Sequence, residues 1–232
     1  FYQAYNNFIP ADFSSIINSE KIFQSKFLKT YISINNSNQT LVPKQFFNQE
    51  NQSTYLAFNN SGSENISVSN DYLPSLNAFS VYENTFSSLN THLLNNVVMM
   101  HQSSYFINYC SLISKQQKVT SLFISLHKNY FTLVIYSKEN ELILSNNFEF
   151  KNEEDVAYHF FFSVEKLGID VKDCLINVYK NGYNAKKLIA IIDPFVKKIG
   201  GNTNPLKLNF SKIIPQEVIH SEYLLLTQHL CA

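Results

Sequence analysis

From residue 119 to residue 150 the chain carries three segments rich in β-branched and aromatic residues, 119–126, 130–137 and 141–150. Only His127-Lys128-Asn129 and Lys138-Glu139-Asn140 separate them. Linkers this short force antiparallel neighbours, because a parallel pair needs a crossover of about a dozen residues or more. The stretch therefore predicts a three-stranded meander. Asn152 then offers an N-cap, and Glu153, Glu154 and Asp155 put negative charge in the first turn of a helix. Gly168 follows its last turn, where positive φ is needed. Beyond it, residues 175–179 predict a buried strand, 185–199 a helix running through Pro194, 206–210 a strand and 216–230 a closing helix. The order is βββαβαβα, which implies a mixed sheet with helices on its faces.

The first half is less regular. Residues 12–27 have apolar positions at helical spacing, 29–34 and 39–43 read as strands, and Pro43 ends the second of these before a short helix over 44–48. Residues 59–65, polar and containing Gly62, predict an exposed loop. Short strands are expected at 65–68 and 78–82, and helices at 85–94 and 102–114. The polar Ser114-Lys115-Gln116-Gln117-Lys118 marks the boundary between two lobes, 1–116 and 117–232.

At 232 residues, with 45% hydrophobic and 15% aromatic composition, the chain can fill two cores. Its 18 Lys and Arg balance 18 Asp and Glu, so it lacks the basic footprint of a nucleic-acid or anionic-membrane binder. Cys110, Cys174 and Cys231 are odd in number and far apart, which fits buried reduced thiols rather than a disulfide framework. No run reaches the ~20 apolar residues of a membrane span, and the start has no signal-peptide pattern, so a cytoplasmic location is expected. The abrupt start at Phe1 also leads us to expect that residues precede it.

The βββαβαβα order is that of the ribonuclease-H-like unit, two of which face each other in actin-like and sugar-kinase folds. The run Glu141-Leu142-Ile143-Leu144-Ser145-Asn146-Asn147-Phe148-Glu149-Phe150 is followed by Glu154-Asp155 and Val164-Glu165-Lys166-Leu167-Gly168. It resembles a Bacteroidetes-type family of uncharacterised proteins with an actin-like ATPase fold. Thr40-Leu41-Val42-Pro43-Lys44-Gln45-Phe46-Phe47 with Tyr55-Leu56-Ala57-Phe58 is similar to that family's other recurrent block. The resemblance spans roughly residues 12–200. It implies an α/β fold of two ribonuclease-H-like lobes, the first incomplete at its amino terminus for want of two opening strands, with ATP and Mg²⁺ as the cofactors to test.

A phosphate cradle on this fold needs an acidic, Gly-containing hairpin turn, so that backbone N–H groups meet phosphate and a carboxylate positions Mg²⁺. The turn here is His127-Lys128-Asn129, without Gly or Asp. Lys128 is either a phosphate contact or, more simply, a solvated turn residue. Gly200-Gly201 looks like the Gly-Gly adenosine turn of actin-like proteins. It follows Val196-Lys197-Lys198, however, and Gly200 as the C′ residue of a helix accounts for it without a ligand.

Other chemistries find less support. A two-metal nuclease needs carboxylates on the first strand of the meander, which has none, and Glu165 stands alone on its helix. The histidines form no His-x-x-x-His pair, His159 reads as a packed or rim residue, and the 5 glycines include no Gly-x-Ser-x-Gly elbow. Phe160-Phe161-Phe162 cannot all face inward on one helix, so one of them meets the other lobe or a partner. The reading that follows is a catalytically inactive actin-like module that binds another protein. The alternatives are a nucleotide-binding ATPase with ATP and Mg²⁺ in the inter-lobe cleft, contacted near Gly200, Gly201 and Lys128, or a small-molecule or peptide sensor.

Overall fold

A computed structural model describes residues 13–59, 66–87, 94, 96–181, 183–200, 208–210, 212, 214, 218–219 and 222–230. The chain forms a mixed α/β structure, with three sheets among the described residues, and divides into two compact units, Phe1–Ser104 with Ala232 and Tyr105–Cys231. The division falls inside the helix whose polar end was read as the lobe boundary.

In the first unit, α1 (Phe13–Ser19) is followed by a 3₁₀ turn, Lys21–Gln24, rather than one helix over 12–27. Strand β1 (Thr30–Ile34) pairs in parallel with β5 (Val97–His101). Strands β2 (Gln39–Pro43), β3 (Val68–Leu73) and β4 (Ala78–Glu83) form an antiparallel sheet in the order β2-β4-β3. Helix α2 (Gln52–Asn59) lies against that sheet. Strand β3 extends well past the short segment expected at 65–68, and β5 occupies a stretch to which no element was assigned. The loop expected at 59–65 and the helix expected at 85–94 fall mostly outside the described residues; Thr85, Phe86 and Ser87 form a turn.

Helix α3 (Gln102–Gln117) leads into the meander of the second unit, β6 (Ser121–Leu126), β7 (Tyr130–Tyr136) and β8 (Leu142–Glu149). Helix α4 (Glu153–Lys166) follows, then β9 (Leu175–Tyr179), α5 (Lys186–Ile192), β10 (Ile199–Gly200) and the short α6 (Tyr223–Leu226). The sheet order is β10-β9-β6-β7-β8. Strand β6 is central, antiparallel to β7 and parallel to β9, and β10 runs parallel to β9.

Every residue of β6 and β7 is buried, because both sheet faces are covered. One face packs Leu122, Ile124, Phe131, Leu133 and Ile135 against Val156, Phe160 and Val164 of α4 and Leu188 and Ile192 of α5. Each such side chain contributes roughly 1.5–3 kcal/mol on burial. On α3, the Ile107 carbonyl accepts from the Tyr136 hydroxyl at 3.2 Å, and Phe106 and Tyr109 meet Tyr179 edge-on.

The ends of α4 form as its sequence dictates. Asn152 Oδ1 accepts from the Asp155 N–H at 2.9 Å, Asp155 Oδ2 accepts from the Lys151 N–H at 2.9 Å, and Gly168 takes φ +66°. Helix α5 does not run to residue 199. It ends at Ile192, and Asp193–Phe195 tighten into a 3₁₀ turn, since Pro194 has no N–H to continue the helix. The chain then extends into β10. The strand expected at 206–210 lies partly outside the described residues, and Leu208, Asn209 and Phe210 are not in a strand. Of the closing helix expected at 216–230, the described residues show helical Val218 and Ile219, α6 and a 3₁₀ turn, Gln228–Leu230.

Candidate functional site

Strands β6, β9 and β10 run parallel, so their carboxyl ends share one edge of the sheet, where ligands of open α/β sheets bind. Two of the sequence candidates lie there. Lys128 tops the turn between β6 and β7, and Gly200 ends β10. Gly201 lies outside the described residues.

The β6–β7 turn is filled by its own side chains. The His127 N–H is spent on the Tyr130 carbonyl at 2.9 Å, and the Asn129 carbonyl accepts from the Phe150 N–H at 3.1 Å. The His127 ring is buried at 6% exposure and stacks on Tyr130 with centroids 4.4 Å apart. Its Nε2 lies 3.3 Å from Ser125 Oγ. From beyond β9, Asn181 Nδ2 donates to Ser125 Oγ at 2.7 Å and to the Leu126 carbonyl at 3.1 Å. Asn181 reaches them in the left-handed conformation, φ 42°, which Asn tolerates better than most residues.

Burial pushes the His127 ring down to about 4, so it is neutral at neutral pH. Lys128 is exposed, and among the described residues no carboxylate pairs with it. The turn thus presents one exposed cation and has neither glycine nor carboxylate. Sequence reading missed Ser125, Asn181 and the buried state of His127. The available signal was Ser125 and His127 two residues apart on one strand face.

Gly200 stands in a different setting from the one expected. It is no helix C′ residue: it belongs to β10, opposite Asn177 of β9, and its φ is not positive. A Cβ there would meet Asn177 Oδ1 at 2.8 Å and the Ile176 carbonyl at 3.2 Å, so close strand packing demands glycine. Asn177 is 7% exposed, and its Nδ2 has no hydrogen-bond partner among the described residues. Gly200 is thus preceded by a strand residue, Ile199, rather than by the end of a helix.

Elsewhere, Phe160 is fully buried, Phe161 packs on Phe195, and Phe162 is 44% exposed, stacked on the exposed Tyr158 at 5.9 Å. His159 stacks on Phe148 at 4.9 Å as a half-buried packing residue. Glu165 is exposed on α4. Cys110 and Cys174 are buried, and Cys231 lies outside the described residues. Among the described residues no group of three His, Cys, Asp or Glu side chains is placed to hold a metal, and no helix is long and apolar enough to cross a membrane. A cavity of about 440 Å³ opens at the opposite, amino-terminal edge of the sheet, lined by Lys172, Asp173, Lys197 and Lys198 among others.

Known structures share this architecture. A Bacteroides thetaiotaomicron protein with an actin-like ATPase fold and unknown function superposes with a TM-score of 0.73 at 17% identity, over 82% of this chain and 74% of that one. A chain of the PilM–PilN type IV pilus biogenesis complex gives 0.65 at 11% identity, over 95% and 84%. A comparison with curated proteins finds no match. The sheet order and these superpositions give the chain the actin-like ATPase fold. Since the model of the DUF3822 family, proteins of unknown function, matches residues 3–199, the chain belongs to that family.

Proposed function

We propose that this protein is a catalytically inactive actin-like module of the bacterial cytoplasm that binds another protein. The observation that carries the reading is the β6–β7 turn. Where a phosphate cradle needs glycine and a carboxylate, the buried His127 ring, Ser125 and Asn181 close the space. The exposed stacked pair Tyr158 and Phe162 on α4 offers an aromatic surface of the kind that anchors interfaces. The PilM–PilN structure is a complex between proteins, which supports the same use of the fold. Two assays test the reading together. Purified protein should release no phosphate from ATP with Mg²⁺, and a partner retained by the wild type should be lost by the double variant Tyr158→Ser, Phe162→Ser. Phosphate release abolished by a substitution at Lys128 would sink it.

One observation favours a second reading, nucleotide binding with ATP and Mg²⁺ at the second sheet. Gly200 lies in a strand rather than at a helix end, and the Gly-Gly pair of an adenosine turn follows a strand. Here the base and ribose would be held near Gly200 and Gly201 without a built phosphate site, which predicts weak binding and slow or no hydrolysis. Titration of a fluorescent ATP analogue tests it. Saturable binding in the wild type, lost in Gly200→Val while a melt shows that variant folded, would establish this reading over the first.

A further inference from the structure

Asp71, on β3, is a carboxyl group buried at 8% exposure within the first unit. Three donors from three elements converge on it. The Tyr82 hydroxyl of β4 donates to Oδ1 at 3.1 Å, and the His101 backbone N–H at the end of β5 donates to Oδ2 at 2.9 Å. The Ser104 hydroxyl, in the first turn of α3, donates to the same Oδ2 at 2.7 Å. Because β3 belongs to the three-stranded sheet and β5 to the pair with β1, this one side chain joins the two sheets of the unit and ties down the start of α3.

The titratable groups facing it are Tyr82 from β4 and His101 from β5, whose rings lie 5.1 Å apart. The first turn of α3 holds no acidic residue, and among the described residues no Lys pairs with Asp71. The recorded partners of its oxygens are the three donors, none of them a charged side chain. The donors and the amino end of α3 favour the ionised form, while loss of water opposes it.

We propose that Asp71 is a proton-dependent clasp: protonated, it holds β5 and the first turn of α3 to β3, and ionised, it favours local opening of that junction. The neutral form loses no bond. Oδ2 goes on accepting from His101 and Ser104, while the acid proton on Oδ1 is offered to the Tyr82 oxygen, which can accept as well as donate. The ionised form regains hydration only if the junction opens. Burial outweighs the three donors and pushes the carboxyl up to about 6 from its ordinary 3.8. A group raised in this way stabilises the closed junction fully below the ordinary value, and that contribution is lost as pH rises through about 6.

The direct readout is hydrogen exchange at the His101 amide, whose proton lies on Asp71, measured from pH 4 to pH 7 and corrected for the intrinsic pH dependence of exchange. The clasp predicts an opening constant that grows by about 50-fold across that range in the wild type and stays flat in Asp71→Asn. A flat wild-type profile, or the same slope in both proteins, would overturn it. Carbon-13 titration of the Asp71 carboxyl in the wild type keeps the test open should the variant fail to fold: a midpoint near 6 is expected, and one near 4 overturns the proposal.

Discussion

The β6–β7 turn and the end of β10 lie on the same edge of the second sheet, yet the first is packed with side chains and the second carries a glycine set closely against β9. The turn spends its polar groups on itself through Ser125, His127 and Asn181. The strand end leaves the Asn177 amide without a partner among the described residues. A phosphate would have to displace a buried ring at the turn. A flat, less charged group meets no such obstacle at Gly200. On the reading proposed above, the fold is kept while the half of the site that would do chemistry is closed.

The largest expected effect concerns His127. Its folded pKa of about 4 lies below the ordinary 6.5, so the folded chain binds fewer protons between those values. Stability contributed by the neutral ring is present above pH 6.5 and lost as pH falls through about 4. The full loss is roughly 3 kcal/mol, from about 1.4 kcal/mol per tenfold change in proton affinity. Denaturant unfolding of the second unit at pH 7 and pH 4 checks this, and His127→Gln should flatten the difference. An equal difference in both proteins would mean the turn is not closed by a buried neutral ring.

At the other stretch, Gly200→Val forces side-chain atoms into Asn177 and the Ile176 carbonyl and should cost about 2 kcal/mol. A smaller effect is expected for Asn181→Gly, which keeps the left-handed backbone but removes both donors, about 1 kcal/mol by the same measurement. Lys128→Ala should change stability by less than about 0.5 kcal/mol, because the side chain is exposed and pairs with nothing described. If Lys128→Ala proved the costliest of the three, the contrast between closed turn and clear strand end would fail.

How far the sequence disclosed this depended on how local each determinant is. The meander was readable because residues 127–129 and 138–140 are too short for any connection but a hairpin, and α4 because Asn152, Asp155 and Gly168 act within one turn of its ends. Strand β5 went unassigned because Val97, Val98, Met99 and Met100 sit between stretches of helical spacing with no Gly or Pro to mark it off. The sequence expectation is a helix over 185–199 that runs through Pro194. Pro194 ends the helix, and that change of register turned Gly200 from a helix end into a strand residue.

The site was harder to read, since its clamp is long-range: Asn181 lies 56 residues from Ser125, and neither type announces the contact. Asp71 left a trace, a charged residue two positions before the fully buried Leu73 on the same face of β3, but its donors come from elements 11 to 33 residues away.

The most direct test of the account is a thermal melt of the protein with and without excess ATP and Mg²⁺. A ligand at ~100 times its dissociation constant adds ~2.7 kcal/mol of stability, enough to move a transition by several degrees. The account predicts that Mg²⁺ adds nothing to whatever small shift ATP gives, because the closed turn offers neither phosphate cradle nor carboxylate. A large upward shift that needs both ATP and Mg²⁺ would contradict it and place a working phosphate site on this fold.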